Sequence, residues 1–249
     1  MKQESSLFSD SATSVSEAPF RPIRLFSWIA PDDDRTPGWS SRLWIFPMVY
    51  LPWFVLYEWA VFRGPQPGAF ATYLPGEVHW PIWQWMEAFY VSPYLIVTLA
   101  PLAATTNGVL RRFAIAGLLS VVAGNLIFSV VPAIAPPRPF CPAGLFGRMM
   151  ITSRDLDLNN GAGAFPSFHV VWSFLGAAVY ARRWPRLQIV SWTWAALVAA
   201  SCVLTGIHSL ADVIAGFCLF LLVFNYQAIV PRSWRTFLSN EQTVGKRVF

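Results

Sequence analysis

Hydrophobic and polar positions along this chain fall into long blocks rather than the short amphipathic periods of a water-soluble fold. Six blocks are apolar over about the twenty residues a helix needs to cross a bilayer. They lie near 43–62, 86–107, 113–133, 166–181, 187–207 and 209–230. The fourth is the shortest, and Phe165-Pro166 marks its start, because proline is tolerated in a first helical turn. The pattern predicts an all-α polytopic membrane protein, a six-transmembrane-helix bundle over 43–230 with tails at 1–42 and 231–249. Residues 1–20 are rich in Ser, Glu and Asp and lack an apolar core, so they read as a disordered tail rather than a signal peptide or a stable helix.

Composition agrees with this reading. The chain of 249 residues is 55% hydrophobic and 12% charged, where a soluble domain carries about a quarter charged residues. Its net charge of +5 does not make it a nucleic-acid binder, because the basic residues stand at block ends rather than on one face. They set topology instead. Lys2, Arg21, Arg24, Arg35, Arg42, Arg111, Arg112, Arg182, Arg183, Arg186, Arg232, Arg235, Lys246 and Arg247 fall on one side of the bundle; Arg63, Arg138, Arg148 and Arg154 fall on the other. The positive-inside rule then puts both termini in the cytoplasm and the 134–165 connector outside, as in a bacterial inner membrane. Cys141, Cys202 and Cys218 are odd in number and lack metal-ligand spacing, so neither a disulfide nor a metal site is expected.

Against this apolar background, two of the three histidines sit at block starts, His169 in Ala164-Phe-Pro-Ser-Phe-His169 and His208 in Gly206-Ile-His208-Ser-Leu-Ala-Asp212. Ionisable groups are costly at membrane depth and mark function there. The third, His79, between Val78 and Trp80, reads as an ordinary interfacial or core residue. His208 and Asp212 are four apart and share a helix face, so the carboxylate can orient the imidazole and stabilise the imidazolium. That makes His208 a candidate nucleophile and leaves His169 as the acid for a departing oxygen. Arg138, in Pro137-Arg-Pro139, offers a planar clamp for phosphate oxygens. Together these groups suit phosphoryl transfer without a metal or other cofactor. The topology brings them to one depth, since 39 residues separate the histidines, about what two spanning helices and a turn require.

The motifs over residues 110–230 resemble the type 2 phosphatidic acid phosphatase superfamily, with its Lys-x6-Arg-Pro, Pro-Ser-Gly-His and Ser-Arg-x5-His-x3-Asp signatures. The resemblance implies a six-helix bundle, a phosphohistidine on the last histidine, no metal and lipid-phosphate substrates. It matches Arg138 to the first motif, Ser167 and His169 to the second, and His208 and Asp212 to the third, with Arg138 and Ser167 binding phosphate. Three positions depart from the pattern: Val131 for the lysine, Phe168 for the glycine and Cys202 for the arginine. With two cations missing, a singly charged phosphodiester fits better than a dianionic monoester. The wording of the motifs is similar to the branch containing inositol phosphorylceramide synthases, which move a head group onto an alcohol. Further substrate contacts are expected from Arg148, Arg154, Asp155, Asp157, Asn159 and Asn160 in the outer connector. Hydrolysis and head-group transfer share every one of these catalytic residues. A non-enzymatic transporter or a carrier using the histidines as ligands is the reading of another class.

Overall fold

The computed structural model of the protein describes residues 33–156 and 162–226. Its long helices are α1 (Trp39–Phe62), α2 (Gln84–Ala103), α3 (Asn107–Val130), α4 (Gly144–Leu156), α5 (Phe168–Arg183), α6 (Pro185–Leu204) and α7 (Leu210–Phe224). Each of the six apolar blocks overlaps one of them. Four, α1, α2, α3 and α6, are long and apolar enough to cross a membrane. Helices α5 and α7 have only 16 and 15 residues, roughly 24 and 22 Å at 1.5 Å per residue, so length and composition show four of the six expected spans. Helix α5 starts two residues later than its apolar block because Ser167 is extended and stands as the N-cap, outside the helical repeat. Helix α4 is a further departure, since it lies within the stretch read as the 134–165 connector.

The prolines that interrupt these helices also tie them together. Pro47 and Pro52 lack amide donors, and the ladder of α1 relaxes into a π-helical stretch over Phe46–Tyr50. In α2, Pro93 and Pro101 free the carbonyls of Phe89 and Val97. Ser92 Oγ donates to the first at 2.7 Å, and Tyr50 Oη on α1 donates to the second, also at 2.7 Å. Thr106 caps α3 by accepting the Val109 amide at 3.2 Å. The amides of Asn107 and Gly108 are taken by the carbonyls of Arg35 and Asp33, and Arg42 donates to the carbonyls of Pro101 and Leu102 at the end of α2. The last residues of the expected 1–42 tail are therefore part of the fold.

Helix α5 is the centre of the bundle and packs on α2, α3, α6 and α7. Phe168, which stands where the superfamily motif has glycine, fits because Gly124 of α3 has no side chain: a Cβ there would lie 2.5 Å from the Phe168 ring. The outer faces stay apolar, with Leu95, Leu126, Ile189 and Leu222 exposed, a surface suited to lipid rather than water. At one end, β1 (Phe70–Ala71) pairs in parallel with β2 (Ala133–Ile134), and Ala162 bridges to Ile134. This small sheet gathers the exit of α3 and the approach to α5 on the side where the histidines lie.

Candidate active site

Just past the end of α6, Gly206, with a φ of 73°, reverses the chain. The reversal returns the His208 amide to the Cys202 carbonyl at 3.0 Å. Only glycine fits here, because a Cβ would meet Ile82 at 2.9 Å and Arg138 at 3.1 Å. Helix α7 then opens with a capping box: Ser209 Oγ accepts the Asp212 amide at 3.1 Å, and Asp212 Oδ2 accepts the Ser209 amide at 2.8 Å. The carboxylate, fully buried, is thereby locked with Oδ2 at 3.6 Å from His208 Nδ1. This is ion-pair range, one step looser than a hydrogen bond, as is common before substrate binds. Nε2 of His208 is the nitrogen left for chemistry.

The second motif is fastened to the third through the main chain. The Ser167 amide donates to the Asp212 carbonyl at 3.0 Å. Gly216, one turn after Asp212, lets the two segments touch, since a Cβ there would lie 2.6 Å from the Ser167 carbonyl oxygen. His169 follows in the first turn of α5, and its ring centroid is 5.8 Å from that of His208. Tyr90 stacks on His169 at 4.2 Å, Tyr94 meets it edge-on at 5.5 Å, and Nε2 of His169 is buried with no hydrogen-bond partner. A buried nitrogen without a partner is poised to exchange a proton with a bound group.

Arg138 is brought to the same place, with both terminal nitrogens, expected as a clamp for phosphate, donating to main-chain carbonyls. Its guanidinium is 1% exposed. Nη1 donates to the carbonyls of Glu77 at 2.9 Å and Trp80 at 3.0 Å, and Nη2 donates to that of Val203. Nε, packed against Gly206, is the nitrogen with no partner. Arg138 thus ties the α1–α2 connector to the end of α6, and a phosphate would meet at most its Nε edge. Ser167 Oγ lies 3.9 Å from Cys202 Sγ, so the thiol fills the space in which the motif arginine would begin.

The outer-connector candidates divide. Arg154 is half-buried: Nη1 donates to the Arg138 carbonyl and Nη2 to that of Thr205, both at 2.7 Å. Burial holds its guanidinium below the usual value, with nearby Glu87 opposing that shift. Arg148 and Asp155 are exposed and make no side-chain bond to the site. Asp157, Asn159 and Asn160 lie outside the described residues. Three groups were not anticipated. Glu77, buried, accepts the Leu210 amide at 2.6 Å and so caps α7 beside Asp212. Glu87, also buried, accepts from Ser153 Oγ at 2.5 Å. Tyr73 donates to the Pro136 carbonyl at 2.8 Å, and burial pushes its hydroxyl up to about 12, so it remains a donor. His79 is exposed, which leaves the core alternative aside.

His169 and His208 both line one cavity of about 320 Å³. Its walls come from α1 (Phe46, Tyr50, Trp53, Phe54, Tyr57, Glu58), α2 (Pro93, Tyr94, Val97, Thr98) and α5 (Phe168, Trp172). A PAP2 superfamily profile matches residues 77–226, more than half of the chain. The chain belongs to the PAP2 superfamily. The matched region runs from Glu77 to Tyr226 and includes Arg138, Ser167, His169, His208 and Asp212. No curated protein and no solved structure matches the chain. PAP2 membership points to a phosphatase-type lipid phosphoesterase in a membrane. Helix α1, which builds most of one cavity wall, precedes the region matched to the PAP2 superfamily.

Proposed function

We propose that this PAP2-superfamily protein is an integral membrane phosphotransferase that breaks a phosphoester of a phospholipid or isoprenoid lipid and passes the phosphate-bearing group to an alcohol. The observation that carries the reading is the pair of histidines, one beside a buried carboxylate, at the end of an aromatic, apolar cavity. In the first step His208 Nε2 attacks phosphorus, a P–N bond forms, the P–O bond to the leaving group breaks, and His169 gives that oxygen its proton. Asp212 stabilises the imidazolium. In the second step His169 takes the proton from the incoming hydroxyl as its oxygen displaces His208. Water in place of the alcohol gives the simple lipid phosphatase. Transfer is favoured by the charge of the cavity wall: no Lys or Arg lines it, and a dianionic monoester needs cations more than a monoanionic diester does.

In this reading the catalytic membrane domain is 43–230 with six crossings, both tails lie in the cytoplasm and the cavity opens to the outer side of a bacterial inner membrane. Clustered basic residues at the opposite end support that orientation. Short α5 and α7 are consistent with a site recessed below the outer surface. Incubation of purified protein with phosphatidic acid, polyprenyl phosphate and head-group phospholipids, with and without alcohol acceptors, tests the reading by mass spectrometry. Head-group products dependent on acceptor are expected. Phosphatidic acid as the preferred substrate would leave a plain phosphatase, and no turnover of any lipid would remove the enzyme reading. Turnover is also expected to persist in EDTA; loss restored by magnesium or zinc would overturn the metal-free route.

A further inference from the structure

Glu58 has no part in the chemistry described so far, yet it is the one acidic residue in the wall of the cavity that holds both histidines. It sits on α1, four residues before that helix ends at Phe62, in a stretch that is otherwise Trp53-Phe-Val-Leu-Tyr57 and Trp59-Ala-Val-Phe62. Its side chain is exposed, in a segment where an ionisable group is costly unless it reaches water, a partner or a ligand. Among the described residues Glu58 has no ion-pair partner. The nearest cation along the chain, Arg63, lies over the Trp59 ring at 4.7 Å and donates to Gln66 at 3.2 Å.

The position of Glu58 along the cavity follows from its neighbours. A Cβ on Gly163 would touch Val61 at 3.1 Å and Tyr57 at 3.6 Å. The segment leading into Phe-Pro-Ser-Phe-His169 therefore crosses α1 at the level of Glu58. Phe46 lies twelve residues away in the same wall, roughly 18 Å along a helix. The polar chemistry is thus at the Glu58 end, and the ring-lined remainder runs away from it. A lipid whose phosphorus faces His208 would lay its chain along Tyr50 and Phe46 and leave its head group beside Glu58. Trp53 and Tyr57, stacked at 5.8 Å, add ring faces near the same end, and ring faces with a carboxylate are a recognised setting for an ammonium group.

Resting on the transferase reading above, we infer that Glu58 is a specificity-determining residue that selects substrates whose phosphodiester head group carries an ammonium, as in ethanolamine or choline phospholipids. A carboxylate there repels a second phosphate charge and pairs with the ammonium of a zwitterion.

The test uses the full chain in nanodiscs, wild type and Glu58→Gln, a change that keeps the shape and removes the charge. Turnover and equilibrium binding, the latter by native mass spectrometry, are measured for phosphatidylethanolamine, phosphatidylcholine, phosphatidylglycerol and phosphatidic acid. The wild type is expected to prefer the two ammonium lipids over phosphatidylglycerol by about tenfold, and Glu58→Gln to erase that preference while leaving phosphatidylglycerol within about twofold, the scale of one partly screened ion pair. Equal effects of Glu58→Gln on all four lipids, or no wild-type preference, would overturn the inference while leaving the transferase reading intact. Binding preference that depends on Glu58 without any turnover would instead remove the enzyme reading and leave the head-group site standing.

Discussion

The α5–α7 wall of the cavity and the α1–α2 wall are built on different principles. On the first, main-chain bonds hold nearly every functional group. The His208 amide is tied to Cys202, the Ser167 amide to Asp212, and the Asp212 carboxylate to the Ser209 amide. Close contact at Gly216 leaves no slack. On the second wall the contacts are between rings, such as Tyr57 with Phe168 at 6.0 Å and Trp53 with Trp172 at 6.2 Å, and α1 exposes Leu51, Phe54, Val55 and Trp59. Phosphoryl transfer needs reacting atoms placed within a fraction of an ångström. Holding a lipid chain needs apolar area in a shape that can adapt. The difference predicts that substitutions on the first wall act on kcat and those on the second on KM.

The sharpest way to break that division is His208→Ala. Removing the nucleophile is expected to lower kcat by about 10⁴-fold or more, the scale found when one member of a nucleophile–base unit is lost. The melting temperature and lipid binding should change little, because the side chain makes no hydrogen bond that the fold depends on. Retained activity would refute the phosphohistidine. His169→Ala should cost roughly 10²- to 10⁴-fold for alkoxide leaving groups and much less for a nitrophenolate, since an acid matters only where the departing oxygen needs a proton. Equal losses for both would remove His169 from that role.

Gly216→Ala sharpens the comparison without touching a catalytic group. The added methyl meets the Ser167 carbonyl at 2.6 Å, so the starts of α5 and α7 must separate. A shift of this kind is expected to cost about 10²-fold in kcat and about 1–3 kcal/mol in stability, with KM near the wild-type value. Unchanged kcat alongside a lowered melting temperature would show that the spacing of the two segments is structural only.

The two walls also differ in how legible they were. His169, Ser167, His208 and Asp212 stand out in sequence because polar side chains are rare in apolar blocks and their spacing follows helix and turn geometry. The six blocks were visible from their apolar composition, although the cap at Ser167 that sets the start of α5 was not. Arg138 was found but its bonding was not, because an arginine that caps carbonyls and one that clamps phosphate look alike in sequence. Helix α4 was hidden by its mixed composition between glycine- and proline-bearing segments. Glu77 and Tyr73 belong to no motif in the sequence, and only the fold brings that connector over the start of α7. The α1 wall left almost no signal: Tyr50, Trp53 and Tyr57 recur at helical spacing, but in a chain with 13 Trp and 20 Phe such a stripe is indistinguishable from one that faces lipid.

That wall supplies the mildest and most discriminating test, at Trp53. The indole lines the cavity, and its Nε1 is buried without a hydrogen-bond partner. Trp53→Ala removes apolar area from the lipid path, which at about 25 cal/mol per Å² corresponds to roughly 1–2 kcal/mol, or a rise of about five- to thirtyfold in KM. Because no reacting group moves, kcat should stay within about twofold. Trp53→Phe keeps most of the ring and removes the unpaired donor, so KM should change by less than about threefold and stability should hold or rise slightly. Steady-state kinetics on one lipid with the three proteins read both effects. A fall in kcat for Trp53→Ala as large as that for Gly216→Ala would mean that α1 helps position the reacting groups, and the two walls would no longer be separable.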